Sequence, residues 1–297
     1  MNSFIQNPED EAVQLPAGRQ DVQGGLTDFE FQSFGELIER ECGFTVGAEK
    51  RLFLESRLRR RVDELGLKST QDYFCMFKDR VARERELPTL LDAMMICETS
   101  FFRNAPQFEL LRDVVVPDLA AEKERSGARL IRLWSAGCST GQEPYSLVMC
   151  VNETLGGRDG WTVRVFASDL SFTALEKAQR GVYRRDQLKG VEAANLERYF
   201  REENEAFQVV DRAKSEVIFD YHNLKYDIGL RGLDVIFCRN VMIYFCVDEQ
   251  RRLIERLTRC LAPGGYLFLG HAESLQGLSG RFTMVHQNKG IAYRFDG

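Results

Sequence analysis

The residues best able to do chemistry sit at the ends of two strand-like runs. The stretch "RLWSAGCSTGQEPYSL" (132–147) passes from β-branched and aromatic residues into a loop of small side chains, then into a helix-like segment. Gly137 and Gly141 bracket that loop, and Gln142 and Glu143 follow it. A backbone this bare has two readings: a tight turn that needs glycine, or a place where a ligand approaches the main chain. Asp169 closes the next run, "WTVRVFASD". A carboxylate at a second-strand tip suits the paired hydroxyls of a ribose, and it equally suits the N-cap of the helix that follows. Gly-x-x-x-Gly is not the Gly-x-Gly-x-x-Gly of a dinucleotide fingerprint, and no Gly-Lys-Ser/Thr follows to hold a triphosphate. The eight cysteines form no Cys-x-x-Cys pair, and several lie in apolar runs such as "VIFCRNVMIYFC". They read as reduced, packed thiols, with Cys138 a small loop residue. The three histidines show no metal-ligand spacing, so no metal site is expected.

These positions need a sheet to hold them. After Arg129, strand-like and helix-like runs alternate: "RLIRLWSA", "QEPYSLVMCVNETL", "WTVRVFASD", "SFTALEKAQRG", then "LDVIFCRN", "VDEQRRLIERLTRCL" and "YLFLG". Alternation of this kind predicts a parallel, doubly wound α/β sheet. Two final runs around Asn288–Gly290 predict a hairpin and hence an antiparallel edge strand. The turn "APGG" and that hairpin distinguish a methyltransferase sheet from a dehydrogenase sheet. Residues from about 182 to 222 fit neither half and read as an inserted β-subdomain, with two strands around "DRAKS". Upstream, 28–96 reads as an all-helical domain. Thr27 is its first N-cap, Gly43 a stop, and Leu54, Leu58, Val62 and Leu65 form one apolar stripe. A further helix over 104–123 is expected to be interrupted near Pro117. Residues 1–27 read as a flexible extension.

The totals narrow the classes. A 297-residue chain with 44% hydrophobic residues can bury a sizeable core. No apolar run reaches the roughly 20 residues of a membrane span, so a cytoplasmic protein without membrane insertion is expected. A net charge of −5 argues against nucleic acid as partner. The charge is uneven, because "EKRLFLESRLRRR" (49–61) holds one lysine and five arginines against two glutamates.

Five ordered motifs carry a resemblance: "ETSFFRNAPQFELL" (98–111), "RLWSAGCSTGQEPYSL", "ASDLSFTALEKAQRGVY" (167–183), "FDYHNL" (219–224) and "IFCRNVMIYF" (236–245). Over about 28–297 the chain resembles the CheR family, bacterial methyltransferases of chemotaxis receptors. The resemblance implies S-adenosylmethionine (SAM) as methyl donor, S-adenosylhomocysteine as product and receptor glutamates as acceptors. It implies that Thr99 and Arg103 lie over the cofactor. Ala136, Gly137 and either Gln142 or Glu143 would surround its methionine part, Asp169 would hold the ribose, and Asn223 and Leu224 would flank the adenine. Asn240 and Val241 would line the site, with Tyr244 and Arg103 at the reacting centre. Family members often carry Asn at the position of Cys97. The receptor's helical bundle is the implied partner and a monomer is expected. Lys50, Arg57 and Arg61 fall within about 20° of one line on a helix, with Arg60 extending the arc, and are expected to dock that bundle. The glycine-free stretch Phe200–Asn223 predicts independence of a receptor tail peptide, since tail-binding members tend to have a longer, glycine-bearing loop. Two other classes compete: a non-catalytic SAM-sensing scaffold and a nicotinamide oxidoreductase.

Overall fold

The computed structural model describes residues 25–156 and 160–297. The expected flexible extension therefore lies, up to residue 24, outside the described residues. Helix α1 (Asp28–Cys42) starts at Thr27 with a reciprocal capping box. Thr27 Oγ1 accepts from Glu30 N at 3.2 Å, and Glu30 Oε2 accepts from Thr27 N at 2.9 Å. Gly43 ends the helix at φ 80°, a left-handed conformation that glycine adopts freely. Helix α2 (Arg51–Glu64) buries Leu54, Leu58 and Val62. Leu65, expected on the same stripe, is the C-cap and is 38% exposed. The chain leaves the helix there, and Leu67 packs on the core instead.

Helices α3 (Thr70–Met76) and α4 (Arg80–Met94) complete the helical unit. α4 begins where Asp79 caps it, accepting from Ala82 N at 2.8 Å. Phe34, Leu58, Tyr73, Leu90 and Met94 form the centre of this unit. Helix α5 (Ala105–Leu110), a π-turn (Leu111–Val115) and helix α6 (Val116–Arg125) then run on without a break. Pro117 does not interrupt them. It occupies the first turn of α6, and the wider π-turn ahead of it leaves room for a residue without an N–H.

The sheet begins with β1 (Leu130–Ala136), α7 (Gln142–Leu155), β2 (Thr162–Asp169) and α8 (Phe172–Arg180). A three-stranded antiparallel sheet follows: β3 (Val182–Arg184), then helix α9 (Ala193–Tyr199), β4 (Phe200–Glu203) and β5 (Ala206–Val209), in the order β3-β5-β4. Its hairpin turns on Asn204 and Glu205, both at positive φ (48° and 63°), without a glycine. Helix α10 (Asp211–Lys214) occupies "DRAK", where a turn between two strands was expected. The next strand, β6 (Val217–Tyr221), pairs in parallel with β2 from Val165↔Val217 to Asp169↔Tyr221. The inserted subdomain thus ends near Val209 rather than 222, and β6 is the outer strand of the main sheet. The strand itself was expected, but as part of the small subdomain rather than beside β2.

β7 (Leu233–Cys238), α11 (Val247–Cys260), β8 (Leu261–Leu269), β9 (Phe282–Gln287) and β10 (Gly290–Phe295) complete the chain. The main sheet has the order β6-β2-β1-β7-β8-β10-β9, parallel from β6 to β8. The expected C-terminal hairpin forms, with β10 antiparallel to both neighbours and β9 outermost. Alternate residues of the central strands enter two cores. Leu133, Val235, Phe237 and Phe268 meet α5–α7, while Trp134, Ile236, Cys238 and Leu267 meet Leu253, Ile254 and Leu257 of α11. A sheet covered on both faces explains why "LDVIFC" reads as an unbroken apolar run.

Candidate active site

A cleft of about 940 Å³, including its open mouth, lies at the carboxyl ends of these strands. The β1–β2 register pairs Ala136 with Ser168 and so sets Gly137 beside Asp169. Gly137 and Cys138 both donate from their backbone N to Ser168 O, at 2.8 and 2.9 Å. Gly137 has φ 83°, and a Cβ there would stand 2.7 Å from Val241 Cγ2. Its bareness therefore lets the loop after β7 close onto the loop after β1. A Cβ on Gly141 would meet the hydroxyl of Tyr183 at 2.8 Å. That glycine makes room for the small subdomain.

Asp169 is not an N-cap. Ser171 caps α8 by accepting from Ala174 N at 3.0 Å. The Asp169 carboxylate instead accepts from Ser139 N at 2.8 Å and from Ser171 N at 2.9 Å, and faces the cleft. Burial raises its pKa from the usual carboxylate range, and the two N–H groups offset that only partly.

Thr99, Arg103, Glu143, Asn223, Leu224, Asn240, Val241 and Tyr244 also line the cleft, as does Gly137. Two expected residues do not. Ala136 is fully buried in the core beneath α11. Gln142 is 2% exposed, and its Oε1 accepts from Thr140 Oγ1 at 2.8 Å. Of the two candidates at 142 and 143, only Glu143 faces the cleft. Glu143 is already engaged: Oε1 accepts from Ser135 Oγ at 2.7 Å, and Oε2 accepts from Arg239 Nε at 2.8 Å.

Arg239 was missed in the sequence. Its Nη1 donates to Arg103 O at 2.6 Å and to Gln107 Oε1 at 2.9 Å, and its guanidinium lies over Phe108 and Phe237. It joins the "ETSFFR" segment to the helix after β1. His222 also lines the cleft, with its pKa lowered by burial, so it is neutral at pH 7. Cys97 and Cys138 have raised pKa values, chiefly through burial, and remain thiols. Among the described residues no cluster of His, Cys, Asp or Glu could hold a metal.

The helical unit supplies one wall, through Cys42, Phe44, Met95 and Ile96. Asn223 Nδ2 donates to Glu41 O at 2.8 Å, and Thr45 N donates to Tyr244 O at 2.8 Å. The Tyr244 ring stacks on Phe44 at 5.0 Å, and Lys50 Nζ lies 4.5 and 5.2 Å from the Phe44 and Tyr244 centroids. Burial raises the pKa of Tyr244, Glu98 adds to this and Arg103 opposes it, so the phenol keeps its proton.

The expected basic arc needs correction. Arg61 is turned inward, donating from Nε and Nη2 to the two Glu86 oxygens at 2.9 and 3.0 Å, with its side chain only 13% exposed. Helical spacing puts it on the arc, but Glu86 of α4 claims it. Arg57 lies over Phe53, and Arg60 pairs with Glu64 at 2.8 Å. No described helix is long and apolar enough to cross a membrane.

Residues 97–291 match the SAM-binding domain of CheR methyltransferases, and 30–95 match the all-alpha domain of the same proteins. The chain is 37% identical over 276 residues to a chemotaxis protein methyltransferase of Vibrio parahaemolyticus, covering 91% of this chain and 98% of that protein. It is 36% identical over 273 residues to chemotaxis protein methyltransferase 1 of Pseudomonas aeruginosa, covering 89% and 97%. It is 36% identical over 270 residues to the chemotaxis protein methyltransferase of Escherichia coli, covering 88% and 90%. With its SAM-binding domain and its all-helical domain both matched, the chain belongs to the CheR methyltransferase family.

Proposed function

We propose that this chain transfers the methyl group of SAM to glutamate side chains on the helical bundle of a chemoreceptor, giving glutamyl methyl esters and S-adenosylhomocysteine. The observation that carries the reading is the arrangement of one cleft in a chain of this family. Asp169 faces it at one strand end, and Arg103 and Tyr244 line it. The relatives are named for chemotaxis, which supports the receptor as acceptor.

The donor set fits an adenosyl group. The Ser139 hydroxyl lines the cleft, buried and without a partner among the described residues. Each Asp169 oxygen has accepted one N–H and keeps a lone pair for a ribose hydroxyl. In this reading Asn223 and Leu224 flank the adenine, and Thr99, Gly137, Glu143, Asn240 and Val241 surround the methionine part. Arg103 pairs with its carboxylate.

The cofactor supplies an already activated sulfonium methyl. A glutamate acceptor with pKa about 4.3 is ionised at neutral pH, so no residue has to remove a proton. The work left to the protein is alignment and exclusion of water. The unionised thiols and the protonated Tyr244 agree with that demand. Arg103→Ala and Tyr244→Phe are each expected to lower turnover about 10- to 100-fold without unfolding the protein. Labelled-methyl transfer to receptor membranes at saturating SAM measures this, and wild-type turnover in either variant removes that residue from the site. Tight SAM binding with no base-labile label on any receptor would instead favour the scaffold reading.

We further propose that Arg57 and Arg60 of α2 dock the receptor, with Lys50 at the cleft end of the same arc. Their local contacts are surface ones, screened by solvent, and can be exchanged for receptor glutamates. Reversing both charges (R57E/R60E) should slow methylation in low salt, flatten its salt dependence and leave SAM affinity unchanged. A wild-type methylation rate in low salt would make the arc a solvated helix face.

A further inference from the structure

We infer that Glu273, which does not line the cleft, is a positioning residue for methyl transfer: its carboxylate gathers the backbone amides of the segment that carries Asn240, Val241 and Tyr244. Glu273 Oε2 accepts from Asn240 N at 2.9 Å and from Gly270 N at 2.6 Å. Glu273 Oε1 accepts from Val241 N at 2.9 Å and from Ile243 N at 3.2 Å. Hydrogen bonds to a charged acceptor are roughly twice as strong as neutral ones, and here four converge on one group.

The carbonyls of this segment are held elsewhere, Met242 O by Gln250 Nε2 at 3.0 Å and Tyr244 O by Thr45 N at 2.8 Å, whereas its amides at 240, 241 and 243 go to Glu273. Asn240 lies at φ 59°, a left-handed conformation that asparagine tolerates better than other non-glycine residues and that turns its N–H toward Glu273. The single short turn after it, Met242–Tyr244, ends on the tyrosine at the cleft. A Cβ on Gly270 would stand 2.7 Å from Glu273 Oε2 and 2.8 Å from Asn240 N, so the two strand ends close on the carboxylate only because that side chain is absent. One anion therefore ties the loop after β7 to the loop after β8, and Val241 in turn lodges against Gly137. A plain loop closure would be served by one or two of these bonds. Three of the four fall within Asn240–Ile243, directly before Tyr244.

Glu273→Gln isolates the effect, because the amide differs from the carboxylate by few atoms. Turned either way, its NH2 group faces two backbone N–H donors and leaves both without an acceptor. This inference rests on the reading of Tyr244 given above. The test is a double-mutant cycle in labelled-methyl transfer, with SAM and receptor both saturating. Glu273→Gln should lower kcat by about 10²-fold, as expected for a displaced reacting geometry. In the Tyr244→Phe background the same change should cost less than about tenfold, since the group it positions is already impaired. A kcat within about threefold of wild type, or an equal factor in both backgrounds, overturns the inference. Should Glu273→Gln not fold, Glu273→Asp keeps the charge and enters the same cycle. Failure of both to fold assigns the carboxylate to the fold alone and overturns the positioning role. Tyr244→Phe by itself separates the two readings, because wild-type turnover there sinks the tyrosine's role whatever Glu273 does.

Discussion

Asp169→Ala should weaken SAM and S-adenosylhomocysteine binding by about two orders of magnitude or more. Two charge-assisted hydrogen bonds to the ribose would be lost, at about 1.5–3 kcal/mol each. The substitution also frees Ser139 N and Ser171 N, which the carboxylate now holds at 2.8 and 2.9 Å, so the glycine loop loses an anchor. A pH profile isolates the charge from that anchor. Burial raises the Asp169 pKa, and only the ionised group can accept from both ribose hydroxyls. Affinity should therefore fall on acidification, starting above the usual aspartate range. Asp169→Asn should bind weakly and show no such fall. Calorimetry decides the matter: an Asp169→Ala affinity within about a factor of two of wild type removes this residue from the site.

How much of this was legible follows from which forces are local. The cap at Thr27, the stop at Gly43 and the apolar stripe of α2 rest on neighbours within a turn or two, and the sequence displays them. The central strand β7 was legible because burial on both faces leaves a nearly unbroken apolar run. β6 was legible as a strand, but its pairing with β2 in the main sheet was not, since pairing joins residues some fifty apart in sequence. The two glycines of the opening loop were correctly singled out: Gly137 lines the cleft and also makes room for Val241, while Gly141 makes room for Tyr183. Partners far apart in sequence were the main blind spot. Arg61 meets Glu86, and Glu273 meets the amides of 240–243. Helical spacing sees one helix at a time and cannot report that another has claimed the charge. One signal was available for Arg239. An arginine directly after "VIFC", on a strand buried throughout, has to be paired.

That pairing predicts a large effect on stability. Arg239 is 7% exposed and Glu143 8%, so removing one partner leaves the other buried beside it. Arg239→Met should therefore destabilise the fold by about 3–5 kcal/mol, the usual cost of orphaning a buried charge. Glu143 would retain only the Ser135 hydroxyl, and Arg103 O and Gln107 Oε1 would each lose a donor. The double variant Glu143→Gln with Arg239→Met should recover most of that loss, because it removes the uncompensated carboxylate while nearly keeping the side-chain volumes. Stability recovered in this way should not restore turnover, since the "ETSFFR" segment is still no longer tied to the loop after β7 that carries Asn240 and Val241. Chemical denaturation of the three variants measures the first part and labelled-methyl transfer the second. A single-variant loss below about 1 kcal/mol, or a double variant as unstable as the sum of the singles, would mean that the pair is not the coupled buried unit its geometry indicates.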